Sequence, residues 1–411
     1  MTTNWAKNPA VLLCAIAAGI ATGIFFKDFA LAVEPVSEFY LTLVKMCVTP
    51  ILVSSVVSSF ARLFEADSLG LKAPSILVPF ALAFLGVGAI CIAVVSAMRP
   101  GALSLDEQAL VGGLLRGADE GYFEAVNQEH WAGANFIRTF IPENIFAALA
   151  SGKNMQILFF SMLIGIAAGL LKDKGKPVVQ LSESLFSVCL AVLDWTMLFL
   201  PFGTFALMAS QIAKTGPEII IALARFVQSI YVSCVAVVLL GALIASWRAR
   251  IRIDRVFSGL REPLFLAIGT RSTLASMPAS IRALHDHFGV RHRLTDLVIP
   301  ISSVMARFSM LILYLCGSVF AAQLYGKDIG LLQWTALIPL AAAVSFAGAG
   351  TPAVVSISLL SILFEQLRLP YSTMVVLLLA IIPLTDPLLT MTNVQTNCLL
   401  TILIDRKART E

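Results

Sequence analysis

The sequence predicts an all-α integral membrane protein, and three observations carry that expectation. Hydrophobic residues make up 58% of the 411 and charged residues 13%, where a soluble domain carries about 25% charged; the mean hydropathy is +0.88. Apolar runs recur along the whole chain, at 10–26, 39–60, 76–98, 157–171, 185–210, 219–247, 297–324, 331–344, 354–364 and 374–404. Several reach the ~20 residues needed to cross a bilayer, whereas others are short or broken by Gly, Pro and polar clusters.

The elements follow in order. The first apolar run is preceded by one lysine and lacks a small-residue cleavage site, so it is read as a retained helix rather than a signal peptide. The second contains Lys45, placed to snorkel to an interface, and Pro50, which removes a backbone donor and kinks the helix. A third span ends at Arg99-Pro100-Gly101, and the polar, acidic stretch 102–134 reads as an external loop. A broken fourth span follows Ile141-Pro142-Glu143-Asn144, a fifth contains Pro201-Phe202-Gly203-Thr204-Phe205-Ala206-Leu207, and a sixth ends in a basic cluster near Trp247. No linker divides the chain into soluble domains.

Beyond residue 256 the pattern changes. Residues 257–290 hold two apolar stretches too short to cross, joined by the Ser/Thr-rich 270–278; residues 341–367 repeat the theme around Ser345-Phe346-Ala347-Gly348-Ala349-Gly350-Thr351-Pro352. Irregular backbone at membrane depth is tolerated only against protein or a wet cavity. Two such interruptions, each followed by a spanning segment, point to a midplane binding site built from inverted repeats. The last segment, 383–404, carries Asp386, Thr390, Asn393 and Asn397 at spacings of four, three and four, so one helical stripe is polar. A carboxylate at membrane depth costs roughly 2.5 to 3.5 kcal/mol even on insertion scales, so such a stripe faces a solute site or a polar seam inside the protein.

Charge and cysteine exclude other classes. Basic residues gather in alternate loops (Arg62 and Lys72; Lys172, Lys174 and Lys176; Arg248 to Arg261; Arg282, Arg291 and Arg293; Arg406, Lys407 and Arg409), and acidic ones in the loops between. The positive-inside rule then puts both termini in the cytoplasm of a multi-pass protein of the cell's inner (plasma) membrane. A net charge of +4 gives no reason to expect nucleic acid. Seven cysteines lie inside apolar runs without paired spacing and read as small core residues. His285-Asp286-His287 with His292 lacks metal-ligand spacing, Gly348-Ala349-Gly350 follows no strand and is no dinucleotide fingerprint, and no serine has a histidine partner at membrane depth. Neither cofactor nor metal is expected, and no enzyme.

Several motifs, in this order and spacing, carry a resemblance. They are the Lys-Met-x-x-x-Pro within 43–50, Ile-Pro-x-Asn-x-Phe-x-Ala at 141–148, Pro-x-Gly-x-Phe-Ala-Leu at 201–207, the serine-rich tip near 272, Ala-Gly-Thr-Pro at 349–352, and Thr-Met-x-Asn-Val at 390–394. By these the chain resembles the dicarboxylate/amino acid:cation symporter family, the glutamate transporter homologues, over nearly its whole length. The resemblance implies eight transmembrane helices and two re-entrant helical hairpins in glutamate-transporter-like inverted repeats, a homotrimer, and an elevator mechanism. It implies a scaffold in 1–74 (helices one and two) and 132–214 (helices four and five). A transport domain would lie in 75–131 (helix three and the external loop) and 215–411 (helix six, hairpin one, helix seven, hairpin two, helix eight), with the hairpins as gates.

The resemblance also implies a site. Asp386 takes the place that holds a substrate amino group and Asn393 the place that holds its carboxylate, with Thr390 on the same stripe. Arg271, Ser272 and Thr273 at one hairpin tip and Gly350, Thr351 and Pro352 at the other complete the substrate set. Arg271 stands either beside substrate or as a latch on Asp386. Leu389 replaces the arginine that grips an acidic side chain, a contact worth about 1.5 to 3 kcal/mol, so ordinary acidic amino acids should bind poorly in the usual pose.

The departures concern ions. Where sodium-coupled relatives break their seventh helix at Asn-Met-Asp-Gly-Thr, this chain reads Ala306-Arg307-Phe308-Ser309-Met310. A hard cation wants oxygen ligands, and Ala306 and Phe308 offer none beyond the backbone. Asn397 stands where relatives have an aspartate, and the third helix reads Pro79-Phe80-Ala81-Leu82-Ala83-Phe84 where they place hydroxyls. A backbone-only site near Ser345 stays open. For Arg307 three roles are open: a stand-in for a bound cation donating to carbonyls of the broken helix, an ion pair with Asp386, or a bidentate grip on a substrate carboxylate. An unpaired arginine there is too costly to stand alone. The expected function is secondary transport of a small carboxylate-bearing solute, amino acid or dicarboxylate, with weakened or absent sodium coupling. An uncoupled facilitator or channel for organic anions, and more remotely a substrate-sensing receptor, would use the same scaffold. Burial raises and nearby arginines lower the proton affinity of Asp386, so proton coupling has no determined sign.

Overall fold

The computed structural model describes residues 9–65, 73–102, 141–151, 153–215, 218–327, 329–348, 353–369 and 372–408, and among these the protein is all-helical. The amino-terminal part comprises α1 (Pro9–Phe25), the short α2 (Lys27–Ala32) and α3 (Glu34–Glu65), then α4 (Ala73–Met98). The expected external loop falls almost wholly outside the described residues. Next come α5 (Ile145–Ser151), α6 (Asn154–Leu170), α7 (Lys176–Thr196), α8 (Leu200–Thr215) and α9 (Glu218–Ala249).

Local chemistry explains these boundaries. Asn144 caps α5, its side-chain oxygen accepting from the backbone N–H of Phe146 at 2.9 Å and of Ala147 at 3.3 Å. Pro50 lies inside α3, and the buried hydroxyls of Ser54, Ser55 and Ser58 donate to carbonyls one turn back at 2.7 to 3.1 Å, which makes an Ser-rich helix compatible with an apolar setting. The apolar run 185–210 is not one helix, because a 3₁₀ turn at Met197–Phe199 separates α7 from α8 just before Pro201. A proline is favoured in a first helical turn and disruptive further in.

The carboxy-terminal half comprises α10 (Ile253–Thr270), α11 (Thr273–Phe288), α12 (His292–Met305), α13 (Phe308–Leu324), α14 (Leu331–Ala347), α15 (Ala353–Leu367) and α16 (Ser372–Ala408). Helices α10 and α11 pack along one another, as do α14 and α15. The turn of the first pair is tighter than expected. Only Arg271 and Ser272 are non-helical, because the Ser272 hydroxyl accepts from Ala275 N–H at 3.2 Å and starts α11 at once. The last helix begins earlier than the expected 383 and runs unbroken through Pro383 and Pro387.

Stretches long and apolar enough to cross a membrane are Val78–Met98, Lys176–Leu193, Ile220–Ala249, Leu294–Leu324 and Leu384–Asp405, with Ala10–Phe25, Gln156–Leu170 and Gln333–Phe346 as shorter apolar helices. Helix α13 is buried on every side and forms the axis of the main hydrophobic cluster, packing against α4, α9, α14, α15 and α16. A second cluster joins α10, α11, α12 and the end of α16 to the end of α9. On the other side α3 packs against α6, α7 and α8, and α1 lies along α8. A Cβ on Gly19 would stand 2.6 Å from the Phe205 carbonyl oxygen and one on Gly23 2.8 Å from that of Ala209, so only glycine admits this approach.

Candidate functional site

The break between α12 and α13 is preserved although its side chains are not those of the sodium-coupled pattern. Ala306 (φ −92°, ψ 88°) and Arg307 (φ −99°, ψ 72°) leave the helical region, which frees carbonyls at the end of α12. These carbonyls meet donors of the protein itself. The Asn397 side-chain amide lies 3.5 Å from the carbonyl oxygens of both Ser302 and Ala306. The Arg307 carbonyl accepts from the Ser345 hydroxyl at 2.5 Å and from Met310 N–H at 3.0 Å.

On the other side of the break the space is apolar. Phe308 is fully buried and stacks on Phe84 with ring centroids 4.4 Å apart, with Phe80 stacked at 6.3 Å. The residues expected to mark lost oxygen ligands on α4 and α13 therefore form one aromatic unit. Buried Ala306 adds no polar atom.

Arg307 is half-buried, and its guanidinium donates to the Gly348 carbonyl at 3.0 Å and to the Ser356 hydroxyl at 3.2 Å. Those partners flank the connection between α14 and α15. Residues Gly350, Thr351 and Pro352, expected in the substrate set, lie outside the described residues. No direct ion pair joins Arg307 or Arg271 to Asp386 among the described residues, although both cations act on that carboxylate electrostatically. Thr390, one turn further along α16 than Asp386, is buried.

The first hairpin reaches the same stripe. Arg271, Ser272 and Thr273 are half-buried, and the Thr273 hydroxyl accepts from the Asn393 side-chain amide at 3.2 Å. Asn393 is 1% exposed and its side-chain oxygen has no donor among the described residues, an acceptor left open at the meeting point of α11 and α16. Leu389 is buried in the main apolar cluster, so the position of the absent arginine is occupied by packing.

Arg271, Arg307, Asp386, Thr390, Asn393 and Thr273 thus converge from four elements, each half-buried or buried. Two arginines and one aspartate stand in one cluster beside the unfilled Asn393 acceptor. The sequence reading missed Ser356 and Tyr314. The Tyr314 hydroxyl donates to the Ser356 carbonyl at 2.8 Å and fixes the residue that Arg307 grips. The signal available was a tyrosine in an otherwise apolar helix, whose hydroxyl must find a partner when buried.

The model of the sodium:dicarboxylate symporter family matches residues 9–407. The chain is 27% identical over 355 residues to the proton/sodium-glutamate symport protein of Geobacillus stearothermophilus, covering 84% of this chain and 82% of that protein. It is 27% identical over 340 residues to the C4-dicarboxylate transport protein of Laribacter hongkongensis (82% and 76%) and 27% identical over 399 residues to that of Paracoccus denitrificans (96% and 85%). The family and these relatives are transporters and not enzymes. With that match over nearly its whole length, this helical chain belongs to the sodium:dicarboxylate symporter family.

Proposed function

We propose that this protein is a secondary transporter that moves a small carboxylate-bearing solute, an amino acid or a dicarboxylate, with weakened or absent sodium coupling. The glutamate and C4-dicarboxylate transport named for its relatives supports the solute class. So does the site, where two arginines to one aspartate favour an anion, or a zwitterion bearing a further carboxylate. Asp386 would hold an amino group when one is present and Asn393 a carboxylate, while buried Leu389 removes the anchor for a long acidic side chain.

The observation that carries the sodium reading is the Phe80–Phe84–Phe308 stack beside a helix break whose carbonyls face the Asn397 amide. A hard cation there would need several oxygens at short range. The packed rings provide none, and the oxygens that remain are neutral: the Ser302 and Ala306 carbonyls, faced by the Asn397 amide nitrogen at 3.5 Å, and the buried Asn397 side-chain oxygen, which has no donor among the described residues.

The elevator division is supported by the way the helices associate. One set is gathered around α13 and the other around α3, and a cavity of about 310 Å³ lined by Ile20, Met208, Ile212, Leu223, Ile381 and Leu384 lies between α1, α8, α9 and α16. In this reading the α3 set is the scaffold of a homotrimer and the α13 set carries solute, with both termini cytoplasmic. Counterflow in proteoliposomes, run in sodium and in choline, tests the proposal. Saturable uptake of a dicarboxylate or amino acid in both salts, with affinities within about threefold, is expected of a site whose binding is not linked to sodium. Uptake that appears only in sodium sinks the coupling reading, and flux that never saturates makes the protein a pore.

A further inference from the structure

We propose that Arg307 is a resident latch: its guanidinium and carbonyl together hold both arms of the α14–α15 hairpin against α13, so the unloaded protein keeps this hairpin docked without any dissolved cation. The meaning for transport rests on the carrier reading above; the latch itself does not.

The bonds divide between the two arms. On the α14 arm, Ser345 donates to the Arg307 carbonyl at 2.5 Å and Gly348 accepts from the guanidinium at 3.0 Å. On the α15 arm, Ser356 accepts from the same guanidinium at 3.2 Å, and its carbonyl accepts from Tyr314 at 2.8 Å. Ser345 and Ser356 are both fully buried, so neither hydroxyl has water as an alternative partner. At the far end the Lys327 ammonium donates to the Arg368 carbonyl at 2.7 Å, fastening the end of α15 to the end of α13.

A helix that anchors both arms of a hairpin at its top and one arm at its base leaves little freedom between them. The anchor is a side chain joined to the chain, so its local concentration does not depend on the medium. A guanidinium at this depth is costly to leave unsatisfied, so undocking that breaks these bonds is penalised. An unloaded carrier whose hairpin is already docked can return across the membrane, so net downhill uptake into empty vesicles should run at a rate comparable to exchange.

Hydrogen–deuterium exchange of the full-length protein in nanodiscs tests the latch directly. In sodium-free choline chloride, amides of 353–367 should exchange slowly in the wild type and be unaffected by added sodium chloride. Arg307→Ala should speed that stretch by about tenfold and Ser356→Ala by about threefold, as expected when charged and neutral hydrogen bonds are removed from a local opening equilibrium. The amides of 218–249 should stay unchanged in both variants. If Arg307→Ala does not fold, Ser356→Ala and Arg307→Lys, which keeps the charge but loses the fork, decide the matter. Fast wild-type exchange that sodium slows, or variants that exchange like the wild type, overturns the latch. A normal exchange pattern in a protein that fails to transport overturns the carrier reading and leaves the latch standing.

Discussion

At the scale of single residues, charge has been placed where backbone strain would otherwise call for glycine. Arg99, Lys172, Arg250, Arg271 and Arg368 all adopt φ between 43° and 53°. A side chain in this left-handed region costs roughly 1–2 kcal/mol, and a cation at a helix carboxyl end recovers part of that by facing the dipole. Arg271 differs in consequence, since it also acts on Asp386. Arg271→Gly should therefore separate two quantities. Relief of strain, less the added chain entropy of glycine, should raise stability by about 1 kcal/mol, while loss of the cation should weaken apparent affinity for a carboxylate solute about tenfold. Thermal unfolding and substrate titration on the same preparation measure both; a variant that is less stable and binds as well as the wild type refutes the assignment of Arg271 to the site. Much of this site was legible in the sequence, because Asp386, Thr390, Asn393 and Asn397 share a helical stripe and polar groups in an apolar segment announce themselves. The partners of Arg307 were not legible, since Ser345, Gly348 and Ser356 lie 38 to 49 residues away and meet it only through the docking of α14 and α15.

At the scale of elements, composition predicted where helices lie better than where they end. The run 185–210 reads as continuous because hydrophobicity carries no record of a 3₁₀ turn, whereas Pro201 near the start of α8 does mark the boundary once its position is considered. The 270–278 stretch reads as a loop from its serines and Pro278, yet a single N-cap at Ser272 turns most of it into helix. The two pairs of short helices were expected from interruptions in hydropathy and the polar last helix from the spacing of its polar residues, whereas 297–324 reads as one apolar run and its break was expected only from the resemblance. What the pattern concealed was coupling between them: the stack of Phe80 and Phe84 on Phe308 joins two helices more than two hundred residues apart in sequence. Close approach was equally hidden. Gly19 and Gly23 look like ordinary residues of an apolar helix, but they set the contact of α1 with α8. Gly19→Leu forces those helices apart and should cost about 1–3 kcal/mol, as overpacking does, read as a lower unfolding temperature in detergent with the α13 cluster intact by exchange. An unchanged unfolding temperature would mean that α1 is free to move off α8.

At the scale of the whole molecule, the question is which contacts persist while solute crosses. Cys91 of α4 and Cys316 of α13 are both fully buried in the main hydrophobic cluster, where these two helices pack on one another. Ile212 of α8 and Leu384 of α16 both line the cavity between the two sets. A rigid-body mechanism requires the first pair to keep its separation and the second to change it. Two cysteines introduced as Ile212→Cys and Leu384→Cys, in a chain whose exposed Cys14 is replaced by serine, can be bridged with a short bifunctional thiol reagent. Bridging should abolish counterflow and leave solute binding within about threefold, because the candidate site draws on α10–α13 and α16 and on no helix of the α3 set, so binding is a local equilibrium there. When the linker itself contains a disulfide, cleaving it with an added thiol reductant should restore transport. A bridged 212–384 protein that still transports would mean that the two sets do not slide past one another at this cavity, and that solute instead moves through a passage opened by local rearrangement of the hairpins.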